Sequence, residues 1–241
     1  MLDNVRCKSW LQLQDRACVV TGAASGIGRS IAQELVQQGA RVAVMDKNVT
    51  LLEQTASELR TQGVQVLAVP CDIADEVQLQ AAAEKIAREM GVVQTLVNNA
   101  GVLRPGSLDQ LTLQDWNLVL SVDLTGYWLT TKVFGEQLRS HRERGGASIV
   151  HVASIAGHFP QSHSGAYSPA KAGVCLLSRQ LALEWGKDGV RSNVVCPGMI
   201  RTPLTAGFYA QPGVEQARSA ATASGRVGEP EDIAHTVAFL A

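Results

Sequence analysis

The chain has 241 residues, of which 46% are hydrophobic and 18% are charged, and its net charge is −1. This composition is ordinary for a globular protein, and the scattered lysines and arginines exclude a basic face for nucleic acid or anionic lipid. The N-terminus lacks the apolar core of a signal peptide, and no apolar run reaches eighteen residues. We therefore expect a cytoplasmic protein with no membrane or nucleic-acid partner.

The five cysteines are odd in number and far apart in the sequence, at Cys7, Cys18, Cys71, Cys175 and Cys196. Such spacing is typical of reduced thiols rather than of a disulfide framework. The five histidines form no H-x-x-x-H pattern and no cluster with cysteine. The sequence therefore predicts no metal site.

Residues 1–14 are a polar lead-in, and we expect residues 15–241 to form a single domain. Its first predicted strand covers 17–20 and is followed directly by the turn T-G-A-A-S-G-I-G. Ile27, Ile31 and Leu35 then recur every four residues, which predicts an amphipathic helix that Gly39 ends.

A strand, a glycine turn and a helix are the context that a phosphate-binding loop requires. Gly22 permits the tight turn, Gly26 lets the backbone approach a pyrophosphate, and Gly28 allows close packing of helix on strand. The helix N-terminus adds amide donors and a positive dipole end. Packing turns can have the same letters, but the flanking elements favour a dinucleotide site.

The second predicted strand, 41–46, ends in an acid that can select the cofactor. Asp46 lies eighteen positions after Gly28, close to the spacing of about 20 expected for a carboxylate that binds the adenine ribose. A carboxylate there favours NAD and repels the extra phosphate of NADP, although Lys47 beside it weakens that preference. A helix-capping or exposed loop role is the alternative for Asp46.

The remaining segments alternate between helix and strand. We predict helices at 49–62, 75–90, 112–139, 166–186 and 230–240, and strands at 64–69, 93–97, 147–153 and 191–195. Such βαβ alternation with continuous apolar strands predicts an α/β fold: a doubly wound, Rossmann-type, mostly parallel sheet of at least six strands in a three-layer α/β/α arrangement.

Polar residues or a Pro-Gly pair follow each later strand at its carboxyl end, where ligands bind in such sheets. Asp72 follows the third strand, Asn98 to Gly101 the fourth, Ser154 the fifth, and Pro197 with Gly198 the sixth. This coincidence is the main argument for a binding site at that edge.

Tyr167 and Lys171 lie four residues apart, so they share one face of the predicted helix. A phenol is too weak an acid to act as a base at neutral pH, but an ammonium one turn away stabilises the phenolate. Tyr167 could then exchange a proton with an alcohol or a carbonyl while Ser154 donates a hydrogen bond. An exposed tyrosine and lysine on a surface helix would show the same spacing.

In their order and spacing, these motifs resemble the short-chain dehydrogenase/reductase family over about residues 15–241. The resemblance implies a nicotinamide cofactor, with Tyr167 as the acid/base, Lys171 holding the nicotinamide ribose and Ser154 orienting the substrate oxygen. We expect reversible oxidation of a secondary alcohol to a ketone with NAD, and NADP as the less favoured cofactor. The implied cofactor-binding residues are Gly22, Ser25, Gly26, Ile27, Gly28, Asp46, Asp72, Ile73, Asn99, Ala100, Gly101, Tyr167, Lys171, Pro197, Gly198, Ile200 and Thr202. The alternative for Asn99 is a buried amide that bridges two strands, and both roles can hold together.

Two features depart from the family pattern. Asp123 stands where the family usually has an asparagine that anchors a proton-relay water, so we also expect Asp123 in the catalytic set and an alkaline pH optimum. The family continues with a seventh strand beyond the last helix, whereas this sequence stops at Ala241. Six strands can still form the cofactor site, and we expect a homo-oligomer, either a tetramer or a dimer.

The substrate is expected to be a small molecule held under a mobile lid at about 199–224. Two other functions fit the motifs less well. One is an NADPH-dependent 3-oxoacyl carrier-protein reductase, against which Asp46 argues. The other is a non-catalytic cofactor-binding protein, against which the intact set of Ser154, Tyr167 and Lys171 argues.

Overall fold

The computed structural model describes residues 10–143 and 145–241. Within these residues, six strands form one fully parallel sheet in the order β3-β2-β1-β4-β5-β6. The chain winds outward in one direction from β1 and in the other from β4, which confirms the doubly wound fold predicted from the sequence. The strands are β1 Ala17–Thr21, β2 Arg41–Asp46, β3 Val66–Pro70, β4 Thr95–Asn98, β5 Ala147–Val152 and β6 Val190–Val195.

Helices cover both faces of the sheet because the strands are apolar on both sides. Helices α1, α2 and α9 pack on one face, and α3, α5 and α6 pack on the other. The helices are α1 Gly26–Gln37, α2 Val49–Arg60, α3 Glu76–Met90, α4 Leu113–Leu120, α5 Gly126–Arg139, α6 Tyr167–Trp185, α7 Ala206–Tyr209, α8 Val214–Ala220 and α9 Pro230–Leu240. Of the described helices, none has the length and apolar character needed to cross a membrane.

The helix predicted at 112–139 is interrupted by a π-helical turn at Ser121–Thr125, between α4 and α5. A π turn inserts one extra residue into a helix, and such turns are frequent at functional sites. Here the turn contains Asp123, whose side chain is fully buried. Apolar periodicity does not reveal an insertion of one residue, so the prediction of an uninterrupted α-helix was wrong.

Two strands begin later than predicted. Val93 is buried, but its amide donates to the side-chain oxygen of Gln137 on α5, and the strand begins at Thr95 instead. Strand β3 likewise begins at Val66 rather than at residue 64. Val64 and Val93 therefore lie just before the strands, whereas the apolar residues 66–69 and 96–97 lie within them as predicted.

Candidate active site

A cleft lies at the carboxyl edge of the sheet, where β1 and β4 are neighbours and the strand order reverses. Every predicted site residue except Gly28 lines it. These residues are Gly22, Ser25, Gly26, Ile27, Asp46, Asp72, Ile73, Asn99, Ala100, Gly101, Asp123, Ser154, Tyr167, Lys171, Pro197, Gly198, Ile200 and Thr202. The fold thus brings together residues that are 180 positions apart in the chain.

The glycine turn packs tightly against the segment after β4. Gly22 has a φ of +65°, and a Cβ at this position would lie 2.6 Å from the Cα of Ala100. A Cβ on Gly28 would lie 2.2 Å from the carbonyl oxygen of Gly22. Gly28 therefore lies beneath the turn and supports it by close packing, as its predicted role in helix–strand packing requires, while the other glycines face the cleft.

Asn99 clamps this turn from the β4 side. Its Nδ2 donates to the carbonyl oxygens of Thr21 and Gly22, at 3.0 and 3.2 Å. In return, the hydroxyl of Thr21 accepts from the Asn99 amide at 2.9 Å. The bridging interpretation of Asn99 is therefore correct, and the residue also lines the cleft.

Asp46 accepts hydrogen bonds from two backbone amides and forms part of the cleft wall. Its Oδ2 accepts from the amide of Ala24 at 3.2 Å, and its Oδ1 accepts from that of Asn48 at 2.9 Å. These bonds fix the carboxylate beside the glycine turn, next to Lys47, which also lines the cleft. Asn48, whose side chain accepts from the amide of Leu51, is the residue that caps α2, so the helix-capping alternative for Asp46 is wrong.

Ser154 and Tyr167 approach the cleft from opposite ends of one loop. Ser154 follows β5, is 9% exposed, and its Oγ accepts from the amide of Ala156 at 3.1 Å. Tyr167 is the first residue of α6, and its amide donates to the carbonyl oxygen of Ser164 at 3.1 Å. Both side chains line the same cleft as the glycine turn.

Lys171 is buried at the floor of the cleft among oxygen atoms. Its Nζ lies 3.2 Å from the hydroxyl of Tyr127, 3.2 Å from the carbonyl oxygen of Val152 and 3.2 Å from Oδ2 of Asp123. Burial acts to lower the pKa of Lys171, but Tyr127 and Asp123 outweigh it and raise the pKa above its usual range. The Nζ also lies 5.6 Å from the ring centroid of Tyr167. The raised pKa keeps this ammonium charged at neutral pH, close to the Tyr167 ring.

Asp123 connects Lys171 to the segment after β4. Its Oδ1 accepts from the amide of Val102 at 2.8 Å while Oδ2 faces the ammonium. A Cβ at Gly101 would lie 3.0 Å from Oδ2, so glycine at this position lets the carboxylate approach. Burial raises the pKa of Asp123, against the opposing charge of Lys171.

Tyr127 belongs to this network but was not among the predicted site residues. It is fully buried on α5, and its hydroxyl donates to the carbonyl oxygen of Val152 at 2.9 Å. Burial is the main cause that raises its pKa to about 12, so the phenol keeps its proton. Its place directly after the glycine of V-D-L-T-G, four residues beyond Asp123, was the signal available in the sequence.

Comparisons with known proteins identify relatives of this chain. A family model described as enoyl-(acyl carrier protein) reductase matches residues 22–241. The chain is 40% identical over 228 residues to cis-4-hydroxycyclohexanecarboxylate dehydrogenase of Sinomonas cyclohexanicum, covering 94% of this chain and 89% of that protein. It is 38% identical over 231 residues to D-threitol dehydrogenase of Mycolicibacterium smegmatis, covering 95% and 87%.

A solved structure shares both the fold and part of the sequence. It is a putative NAD(P)-dependent gluconate 5-dehydrogenase from Beutenbergia cavernae with NADP bound at low occupancy. The identity is 34%, the TM-score is 0.89, and the match covers 96% of this chain and 91% of that one. The chain therefore belongs to the short-chain dehydrogenase/reductase family, and it is an oxidoreductase that interconverts a secondary alcohol and a ketone by hydride transfer with a nicotinamide cofactor.

Proposed function

We propose that Tyr167 is the acid–base group of this oxidoreductase, that Ser154 and Lys171 support it, and that NAD is the preferred cofactor. The observation that carries the proposal is the charged and buried Lys171 ammonium, 5.6 Å from the ring centroid of Tyr167. Both residues line a cleft that also contains Ser154 and the glycine turn.

During oxidation, Tyr167 accepts the proton of the substrate hydroxyl, and during reduction it returns a proton to the carbonyl oxygen. The Lys171 ammonium stabilises negative charge on the reacting oxygen atoms during proton transfer, and its buried setting strengthens this interaction relative to water. Because Tyr127 remains protonated and donates to Val152, the phenol available for proton transfer is Tyr167.

Ser154 is suited to hold the reacting oxygen. Its Oγ already accepts from the Ala156 amide, so its own hydrogen is free to point at an oxygen in the cleft. A hydrogen bond to that oxygen strengthens as negative charge develops on it. Ser154 therefore positions the substrate while Tyr167 exchanges the proton.

The cleft fits a dinucleotide. Gly22 and Gly26 carry no side chain into the turn. Ser25 is the N-cap residue of α1 and lines the cleft, so amide donors and the positive end of the helix dipole face the cleft. Asp46, Asp72, Ile200 and Thr202 line the same cleft, and we assign Asp46 and Asp72 to the adenosine half of the cofactor. A nicotinamide cofactor bound there supplies the hydride acceptor for oxidation or the hydride donor for reduction.

NAD is preferred in this proposal because a carboxylate at Asp46 binds ribose hydroxyls and repels a phosphate on the same ribose. Initial rates with NAD and NADP at equal concentration test the preference. Asp46→Asn should lower the ratio of the NAD rate to the NADP rate, because it removes the repulsion between the carboxylate and the ribose phosphate. Faster turnover with NADP would contradict the assignment and favour the reductase alternative.

Residues 199–224 form the proposed lid. This segment contains the short helices α7 and α8, and its Thr202 to Thr205 portion lines the cleft. A Cβ on Gly26 would lie 3.5 Å from both Thr202 and Pro203, so the segment lies directly over the glycine turn. Closure of such a segment would exclude water from the reacting atoms.

The reaction is tested by following reduced nicotinamide absorbance with a panel of secondary alcohols. cis-4-Hydroxycyclohexanecarboxylate and D-threitol come first, because proteins named for them are 40% and 38% identical to this chain. Tyr167→Phe should lower the turnover number by orders of magnitude while NAD affinity, measured by calorimetry, stays nearly constant. Retained turnover in that variant would refute the role of Tyr167.

A further inference from the structure

Three soft ligand groups meet beside the cleft but outside its lining: His158, Cys175 and Cys196. Their ligand atoms all lie within 4.8 Å of one another. His158 and Cys175 are 17 positions apart in the sequence, and Cys175 and Cys196 are 21 positions apart, so the three residues form no short sequence motif. The sequence predicted no cysteine–histidine cluster, and the fold creates one.

Each residue comes from a different element around the active site. His158 follows the short helical turn Ile155–Gly157 after β5, Cys175 lies on α6 one turn beyond Lys171, and Cys196 directly follows β6. A backbone hydrogen bond of 3.0 Å from the Ile155 amide to the Pro197 carbonyl oxygen joins two of these elements. The backbone segments that carry His158 and Cys196 are therefore held at a fixed distance from each other.

The distances match one face of a tetrahedron around a metal ion. The two Sγ atoms are 3.8 Å apart, and Nε2 of His158 is 3.8 Å from Sγ of Cys175 and 3.6 Å from Sγ of Cys196. Zinc bonds of about 2.3 Å to sulfur and about 2.0–2.1 Å to nitrogen, at tetrahedral angles, place two sulfurs about 3.8 Å apart and sulfur and nitrogen about 3.5–3.6 Å apart. No ligand atom has to move far to bind the ion.

We propose that Cys175, Cys196 and His158 bind one Zn²⁺ ion through two thiolates and the Nε2 of the imidazole. Thiolate and imidazole ligands are those that select zinc. Three protein ligands leave the fourth tetrahedral position open. Cys175 is buried, Cys196 is half-buried and His158 is exposed, so the open position and the route of entry lie on the His158 side.

Metal binding must displace a proton from each thiol. A metal binds the thiolate form of cysteine, so protons compete with the metal for the two sulfur atoms. Each sulfur loses its proton to solvent as its bond to the metal forms, and no oxidant or reductant takes part. Affinity should therefore rise with pH.

Occupation of the site would join the segment after Ser154, helix α6 and the end of β6. These are the elements that carry Ser154, Lys171 and Pro197 into the cleft. The ion would therefore stabilise the folded protein, since it binds three residues that are together only in that state. This effect is independent of the proposed reaction.

The test adds Co²⁺, and then Zn²⁺, to the reduced full-length protein. One equivalent of Co²⁺ should give a sulfur-to-cobalt charge-transfer band together with the visible bands of a tetrahedral site, and Zn²⁺ should abolish both. Zinc should also raise the melting temperature. His158→Asn should weaken binding by at least tenfold, and Cys196→Ser should remove the charge-transfer contribution of one thiolate.

Two control variants alter the same residue types elsewhere. His235→Asn changes an exposed histidine on α9, and Cys18→Ala removes a buried thiol of β1. Both should leave the cobalt spectrum unchanged. Three outcomes would each overturn the proposal. The charge-transfer band could be absent at excess Co²⁺, or the spectrum could be unchanged in His158→Asn and Cys196→Ser. The third is a Cys175–Cys196 disulfide in the oxidised protein together with no metal uptake by the reduced protein.

Discussion

The ammonium of Lys171 and the carboxylate of Asp123 form a buried ion pair, with Nζ 3.2 Å from Oδ2 and side-chain exposures of 3% and 0%. The carboxylate thus contacts the cation directly instead of acting only as an acceptor for water. Two opposite charges this close offset one another at a distance, so the field that Lys171 exerts on Tyr167 is weaker than that of an isolated ammonium. This relationship leads to the first two predictions.

Replacing Asp123 by asparagine should move the pH–rate profile to lower pH. Asp123→Asn keeps an acceptor for the Val102 amide but removes the negative charge beside Lys171. The uncompensated ammonium then exerts a stronger electrostatic field on the reacting oxygen atoms, so the rising limb of the oxidation rate should move to lower pH. Initial rates between pH 6 and pH 10 measure this shift.

A matched variant separates the local effect from a change in net charge. Glu84→Gln removes one exposed carboxylate on α3, outside the cleft, and should leave the profile in place. Superimposable profiles for the wild type and Asp123→Asn would show that the Asp123 charge does not influence the reaction.

Removing the cation should cost more stability than removing both charges. Lys171→Met leaves the Asp123 carboxylate buried without its counter-ion, which we expect to lower the free energy of unfolding by about 3–5 kcal/mol. In Lys171→Met/Asp123→Asn no unpaired charge remains, so part of that loss should be recovered. Urea unfolding of the two single variants and the double variant measures the coupling, and strictly additive losses would contradict it.

Loss of the hydroxyl should affect turnover much less at Tyr127 than at Tyr167, the other tyrosine near Lys171. Tyr127→Phe removes one donor to Val152, but the Lys171 Nζ still donates to that carbonyl. We expect a loss of about 1 kcal/mol in unfolding free energy and a modest fall in turnover. A collapse of activity as deep as in Tyr167→Phe would instead place Tyr127 in the proton transfer itself.

His151 should make the folded protein acid-sensitive. Burial lowers its pKa from 6.5 to about 3, with a smaller contribution from Lys171. The unfolded chain therefore takes up a proton below pH 6.5 that the folded protein refuses, and stability falls as the pH falls through this range. The expected loss between pH 7 and pH 5 is about 2 kcal/mol.

His151→Asn tests this dependence because asparagine does not titrate and can keep a polar atom near Asn98, to which the Nδ1 of His151 lies at 3.3 Å. The variant should be less stable at pH 7, but the gap to the wild type should narrow at pH 5. Equal slopes of stability against pH in the two proteins would exclude His151 as the cause.

The cleft was predictable because its residues lie at strand ends. In a parallel sheet all carboxyl ends meet at one edge, so Asp72, Asn99 and Ser154 converge whatever the details of packing. The glycine turn was predictable for a related reason, since its backbone conformation and close contacts leave a visible pattern in the sequence. These features depend on local order and topology.

The network beneath the cleft depends on tertiary contacts that the sequence pattern does not reveal. Tyr127 looks like an ordinary core aromatic, and only the fold shows its hydroxyl beside Lys171. His158 and Cys196 are 38 residues apart and meet because two loops are bonded together. Asp123 was identified from its position in a motif, whereas its direct ion pair requires the π-helical turn.

That turn at Ser121–Thr125 makes the number of residues in this stretch as important as their identity. Deleting one residue from it would restore regular winding and rotate the preceding helix by about 100° relative to α5. The carboxylate at 123 could then no longer face Lys171 and Val102 together. Natural variation in chain length should therefore be absent from this segment and concentrated in surface loops, where a changed length alters no such alignment.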